Sequence, residues 1–306
     1  MDIGINVFGA FDGMSNGQIA LEKKGIKVNK YYASEIEKEP IFITQKNYPN
    51  TIQLGSITEI KNIDWEVNRI DLFIGGSPCQ RFSFAGSAKG LKQDNIEITD
   101  LEKYIRLKEE DFVFEGQSYL FWEYVRLLKE IQKVNPQVKF LLENVKMAKK
   151  WEDVITRALG VKPKEINSKH FCAQNRPRLY WTNIEIDILP NNENVIKDIL
   201  EKDAEFNFDY AGWMLNKWGE KRRLDQFFNI NSKASCLTAN MAKGQKPSYC
   251  VNDEKAIHKF TVNECERLQT VPIDYTKGVS NGARYKMLGN GWTVDVIAHI
   301  FKNLKQ

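Results

Sequence analysis

Ile3-Gly4-Ile5-Asn6-Val7-Phe8-Gly9-Ala10-Phe11-Asp12-Gly13-Met14-Ser15-Asn16-Gly17 is an apolar run that ends in a glycine-bearing turn and then enters a helical pattern. A short run rich in Ile, Val and Phe reads as a strand buried on both faces, over residues 3–11. Residues 17–24 read as the helix that follows. Residues 27–34 supply a second strand and residues 36–47 a second helix, while residues 70–75 and 138–142 are further strands, bounded by Gly75-Gly76 and Glu143-Asn144. Between those two lies a helix, residues 119–131, with Leu120, Tyr124, Leu127, Leu128 and Ile131 on one face. Strands alternating with helices predict an α/β domain with a mostly parallel sheet covered by helices.

Outward from this core the pattern changes twice. Residues 92–114 form a charged segment that reads as inserted, with Thr99 and Glu102 at capping-box spacing, and predict a short surface helix. From about Asp187, Asn and Lys rise and strong periodicity fades. The expected organisation is therefore a catalytic domain over 1–186, a smaller irregular domain over 187–259, and a return to the first domain over 260–306, where helical periodicity resumes at 261–269 and 294–304.

A chain of 306 residues with 42% hydrophobic content can bury a full core. Residues 1–11 carry Asp2 and no basic cluster, and no apolar run approaches the roughly 20 residues of a membrane helix, so a cytoplasmic protein is expected, with no membrane partner. Five scattered cysteines without a Cys-x-x-Cys pair, and three histidines, indicate neither a disulfide framework nor a metal site. The net charge of +4 is small, but between Trp213 and Ser248 seven basic residues face two acidic ones. Such a local excess fits a phosphate backbone, or a merely solvated surface.

In open parallel sheets, ligands bind at the carboxyl ends of strands, and four such places here carry unusual chemistry. After the first strand, Phe11-Asp12-Gly13-Met14 lets the backbone approach a ligand at a helix N-terminus. After the second, Glu35 stands where a carboxylate accepts ribose hydroxyls, which favours an adenosine-type cofactor; capping of the helix over residues 36–47 is the alternative. Gly75-Gly76-Ser77-Pro78-Cys79-Gln80 presents Cys79 on a sharp turn outside the sheet, unlike a core cysteine, as a candidate nucleophile. Glu143-Asn144 ends an apolar strand, where a carboxylate must pair, protonate or work.

Pro78-Cys79-Gln80, Glu143-Asn144-Val145 and Gln174-Asn175-Arg176-Pro177-Arg178, in that order, resemble the DNA cytosine-5 methyltransferases. Phe11-Asp12-Gly13, Ser34-Glu35, Arg267-Leu268-Gln269 and Leu288-Gly289-Asn290-Gly291 extend the likeness over nearly the whole chain. Phe-Asp-Gly, Glu115-Gly116-Gln117 and Lys243-Gly244-Gln245-Lys246 look most like the vertebrate de novo branch and its bacterial and phage relatives. The resemblance implies a Rossmann-like S-adenosylmethionine-dependent methyltransferase domain with a smaller target-recognition domain, acting on duplex DNA with a flipped cytosine, in a bacterial or phage-infected cell. It implies catalytic roles for Pro78, Cys79, Glu143, Asn144, Arg176 and Arg178: Cys79 adds to carbon 6, Glu143 engages ring nitrogen 3, Arg178 holds the base carbonyl, and Arg176 orders its loop and contacts the backbone. Cofactor contacts are implied at Phe11, Asp12, Gly13, Met14, Glu35, Ile36, Ser56, Ile57, Gly76, Pro78, Asn290, Gly291 and Trp292. DNA contacts are implied at Gln80, Arg81, Ser83, Thr238, Asn240, Lys243 and Lys246.

Two departures stand out. Ser56 occupies a position where many relatives place a cofactor-binding Asp, and Asn290-Gly291 follows the bacterial form of the last motif. A transfer-RNA methyltransferase is the nearest alternative, but its Cys-Phe-Thr signature is matched only by Cys236-Leu237-Thr238. An inactive DNA-binding paralogue typically loses the nucleophile or the cofactor turn, and both are retained here. A dinucleotide oxidoreductase would account for Glu35 but not for Cys79, Glu143 and the paired arginines.

Overall fold

The computed structural model describes residues 4–61, 63, 65, 67–78, 91–93, 96–206, 227–243, 249–252 and 256–304. Cys79, Gln80, Arg81, Ser83 and Lys246 lie outside the described residues. The chain divides into two compact units: residues 1–166, 177–186 and 300–306 make the first, residues 167–176 and 187–299 the second.

The first unit is built on strands β1 (Ile5–Ala10), β2 (Val28–Ser34), β3 (Ile52–Gln53), β4 (Leu72–Gly76), β7 (Lys139–Asn144), β8 (Lys164–Asn167) and β9 (Pro177–Thr182). They form one sheet in the order β3-β2-β1-β4-β7-β9-β8. Pairing is parallel from β3 across to β7, and β9 runs antiparallel to β7. The mostly parallel α/β sheet expected from the sequence is therefore present. Strand β9 lies outside the sequence expectation; Leu179 and Trp181 alternate inward into the core, a period-two signal beside Pro177.

Helices α1 (Asn16–Lys23), α2 (Lys38–Asn47), α4 (Leu120–Val134) and α5 (Lys149–Leu159) accompany the sheet. On α4, Phe121, Tyr124, Leu127, Leu128 and Ile131 are buried, and Tyr124 stacks on Phe73 of β4 with ring centroids 4.4 Å apart. Helix α5 is a second addition to the expected elements, its apolar stripe of Trp151, Val154, Ile155 and Leu159 ended by Gly160 with a φ of 72°.

The inserted segment contains the paired strands β5 (Lys92–Gln93) and β6 (Ile96–Glu97) and helix α3 (Leu101–Glu109). One expectation is corrected here. Asp100 is the N-cap, accepting from the Lys103 N–H at 2.8 Å, one residue later than the Thr99 box would place it. The short surface helix expected here is present and buries one face, Tyr104 and Leu107, three apart, packing into the core. Tyr104 Oη donates to Glu123 at 2.6 Å, Lys108 also binds that carboxylate, and Arg126 Nε pairs with its other oxygen at 2.7 Å. Burial alone would push the Glu123 carboxyl up, but these three donors outweigh it and hold it below the usual range.

The second unit contains strands β10 (Phe228–Asn229), β11 (Tyr249–Val251) and β12 (Ile257–Lys259), in one small sheet. Helices Val262–Leu268 and Asn281–Asn290 follow, and Val294–Phe301 runs on into the first unit. The expected recognition segment 187–259 lies within the second unit. Among the described residues, no helix is long and apolar enough to cross a membrane.

Candidate active site

The turn between β1 and α1 holds an unusual backbone. Phe11, Gly13 and Ser15 all have positive φ (53°, 58° and 59°), and for Phe11 and Ser15 this is a strained conformation of the kind that collects at ligand sites. At Gly13 an added Cβ would meet nothing within 4 Å, so the turn faces open space. The Gly13 N–H donates to Glu35 Oε2 at 2.9 Å, joining the ends of β1 and β2. Glu35 Oε1 accepts from the N–H groups of Ile36 and Glu37 at 2.7 and 2.9 Å. Helix α2 has Glu37 as its N-cap, so Glu35 does not cap it. A carboxylate has about four acceptor sites, and Oε2, with one donor here, retains capacity for a hydroxyl. Beside it Ile36 is 65% exposed, an apolar side chain held out at a strand end.

Beneath the turn, Asp12 accepts from Tyr31 Oη at 2.6 Å and from Ser15 Oγ. Burial pushes its carboxyl up to about 7, against the lowering effect of those two hydroxyls, with Glu35 adding to the rise. Met14 and Ile57 are buried. Ser56 Oγ pairs with Thr58 Oγ1 at 2.8 Å.

Strands β4 and β7 leave the sheet side by side. Gly76 and Glu143 are register partners in this parallel pair, a separation of about 4.8 Å between neighbouring strands. Asn144 is buried, and its amide donates to Ser77 Oγ at 2.9 Å while its oxygen accepts from the Val145 N–H at 2.8 Å. Asn144 thus fixes the turn two residues before Cys79. Glu143 Oε1 is 3.0 Å from Arg178 Nε, both side chains being mostly buried, and Arg178 Nη1 donates to the Pro177 carbonyl at 2.8 Å. These residues all belong to the first unit.

In the second unit, Arg176 is buried and donates through Nη1 to the Leu237 carbonyl at 2.9 Å and through Nη2 to the carbonyls of Gly289 and Gly291 at 3.0 and 2.8 Å. Its guanidinium is directed at the protein's own backbone. Gln174, quoted in the sequence motif without a role, is wholly buried and accepts from the Leu237 N–H at 2.9 Å. Asn290 is exposed at the end of its helix, with Gly291 and Trp292 partly so; Asn240 and Lys243 are exposed and Thr238 is half-buried. Lys233, one of the seven basic residues noted in the sequence, donates to the carbonyls of Lys169, Cys172 and Asn192 at 3.0, 3.0 and 2.7 Å. Burial pushes the Cys172 thiol up to about 11 and raises those of Cys250 and Cys265 as well, so these three are not ready nucleophiles.

The fold is that of known methyltransferases. It matches the structure of Entamoeba histolytica methyltransferase EhMeth with a TM-score of 0.71 at 17% identity, covering 99% of each chain. Schizosaccharomyces pombe Dnmt2 methyltransferase matches with 0.69 at 16% identity, covering 97% of each. This likeness defines a Rossmann-like methyltransferase fold. The model of the C-5 cytosine-specific DNA methylase family matches residues 5–212 and 187–306, and the chain belongs to that family. Its relatives include the orphan methyltransferase M.SPRI of Bacillus phage SPR, 30% identical over 65% of this chain and 43% of that protein. Type II methyltransferase M.Bsp6I of a Bacillus species is 26% identical over 98% of both. The chain spans less than half the length of the phage and Neisseria relatives it matches (43%, 48% and 40%).

Proposed function

We propose that the protein is a DNA (cytosine-5-)-methyltransferase that attacks a flipped cytosine through Cys79. The observation that carries this reading is the register pairing of Gly76 with Glu143, and the Glu143–Arg178 pair at 3.0 Å, at the same carboxyl end of the parallel strands as the Gly13–Glu35 turn. Family membership supports it.

The open Gly13 turn, the Glu35 carboxylate and the exposed Ile36 suit an adenosine cofactor. The residues that would hold it in this unit are Phe11, Asp12, Gly13, Glu35 and Ile36, with Ser56, Ile57, Gly76 and Pro78 beside them. S-adenosylmethionine, when bound, supplies an electrophilic methyl group. Asn290, Gly291 and Trp292 are assigned to the same cofactor.

Carbon 5 of cytosine is a poor nucleophile. Addition of the Cys79 thiolate at carbon 6 makes it enamine-like, with Glu143 protonating or hydrogen-bonding ring nitrogen 3 and Arg178 steadying the carbonyl oxygen. After methylation, loss of the carbon-5 proton expels Cys79. The base must leave the duplex to be reached, at a cost of a few kcal/mol. Gln80, Arg81, Ser83, Thr238, Asn240, Lys243 and Lys246 are assigned to DNA contacts.

Expression in a methylation-deficient host followed by bisulfite sequencing tests the reading. The wild-type protein should leave 5-methylcytosine at a defined sequence, and Cys79→Ala should leave none. Full methylation by the variant would end the covalent mechanism, and methylation of transfer RNA with none on DNA would reassign the substrate.

A further inference from the structure

The second unit contains a joint that assigns Arg176 a task away from the reacting base. Gln174 and Arg176 lie two residues apart, and both side chains reach Leu237. Between them they hold both polar groups of one residue: Gln174 Oε1 accepts the Leu237 N–H at 2.9 Å, and Arg176 Nη1 donates to the Leu237 carbonyl at 2.9 Å and to Cys236 Sγ at 3.2 Å. The chain beside them is paired as well, Asn175 N–H donating to the Ala234 carbonyl at 2.7 Å and Ala234 N–H to the Ala173 carbonyl at 2.8 Å.

The far side of the same guanidinium grips a second element, the carbonyls of Gly289 and Gly291 at 3.0 and 2.8 Å. Gln269 closes the arrangement by donating to the carbonyls of Leu288 and Gly291 at 2.6 and 3.1 Å, and its oxygen accepts from Gln174 Nε2 at 3.1 Å. Gln174 and Gln269 are wholly buried, and Arg176 is 3% exposed. Gly289 lies so close to the Thr238–Ala239 peptide that a Cβ there would overlap the Thr238 carbonyl. The two elements therefore touch backbone to backbone, with no side chain between them to absorb a shift.

We infer that Arg176 is a positioning residue that couples cofactor binding to DNA binding, by locking the 289–292 turn to the 236–240 segment. The inference rests on the assignment of those two stretches to cofactor and DNA. A ligand that settles one stretch settles the other, and linkage makes the effect reciprocal: the factor by which cofactor tightens DNA equals the factor by which DNA tightens cofactor. Three backbone acceptors in fork geometry suit a guanidinium; a lysine ammonium reaches fewer of them at once. Arg178 differs, since its partner is Glu143.

The test measures DNA affinity of the full chain by fluorescence anisotropy, with and without S-adenosylhomocysteine. Wild-type protein should show a coupling factor of roughly 5–150. In Arg176→Lys, and independently in Gly289→Ala, the factor should fall to within about twofold of one, and any loss of single-turnover methylation with both ligands saturating should be smaller than that of Arg178→Lys. Circular dichroism and melting establish that each variant is folded; if one is not, the other decides. Coupling retained in a folded variant, or a single-turnover rate lowered as severely as in Arg178→Lys, would overturn the positioning role, as would a wild-type factor of one. Failure of wild-type protein to bind either ligand is a separate result, which would sink the functional reading beneath it.

Discussion

Raising the pH from about 4 up to neutrality should weaken the fold through one carboxyl, and Asp12→Asn should remove that weakness. Burial under the β1–α1 turn moves the Asp12 carboxyl from its ordinary value of 3.8 to about 7, despite hydrogen bonds from Ser15 and Tyr31. Between those two values the folded chain holds a proton that the unfolded chain has released. Stability therefore falls as pH rises across that window, at up to about 1.4 kcal/mol per pH unit. The loss is complete above about pH 7 and reaches about 4 kcal/mol at most. In a domain of this size, 1 kcal/mol moves Tm by roughly 2–4 °C. An asparagine keeps the side-chain shape without the charge, and every other titrating group is common to both proteins, so the difference between them isolates this group. Calorimetric scans from about pH 4.5 to 8 should show the Asp12→Asn variant gaining on wild type by roughly 10 °C in Tm across the series. Parallel Tm–pH curves for the two proteins would refute the reasoning, whatever their offset.

Two further outcomes are expected. Glu143→Gln retains an oxygen to accept from Arg178 but has no acidic proton, so single-turnover methylation should drop by roughly 10²–10⁴ with cofactor affinity unchanged; turnover at the wild-type rate would remove Glu143 as the acid. Glu123→Ala removes the carboxylate shared by Tyr104, Lys108 and Arg126 and, with Arg126 still paired to Glu130 and the Ile60 carbonyl, should destabilise by about 1–3 kcal/mol in denaturant titration. A loss below about 1 kcal/mol would mean that Lys108 and Arg126 simply turn to water.

Four strands of the parallel sheet, β1, β2, β4 and β7, are legible in the sequence to within a residue or two, because apolar runs bounded by glycine or a carboxylate have few other readings, whereas the two-residue β3 carries no such signal. Their order does not follow from the sequence; the neighbourhood of Gly76 and Glu143 rests on the pairing of β4 with β7. Strand β9 and helix α5 stand apart from the expected elements, although Leu179, Trp181 and the stripe from Trp151 to Leu159 carry ordinary signals. At α3, the cap expected at Thr99 belongs to Asp100, since either residue satisfies the pattern and only backbone geometry chooses. The polar residues divide differently. The family resemblance marks Asn144, Gln174 and Arg176 as special, yet it does not tell a side chain aimed at a ligand from one aimed at the chain's own carbonyls. Asn144 holds the Ser77 turn and Arg176 holds Leu237, Gly289 and Gly291, and those partners lie up to 115 residues away in sequence.

Lys233 illustrates the difference between owning a charge and having it to lend. Its ammonium is committed to three carbonyls of its own unit. Were the surrounding surface to meet a polyanion, each lysine able to reach a phosphate would displace a counterion and steepen the salt dependence by about 0.9 in the logarithmic slope. A tally of basic residues would then overstate that slope, because Lys233 adds to the field while staying out of the count of released ions.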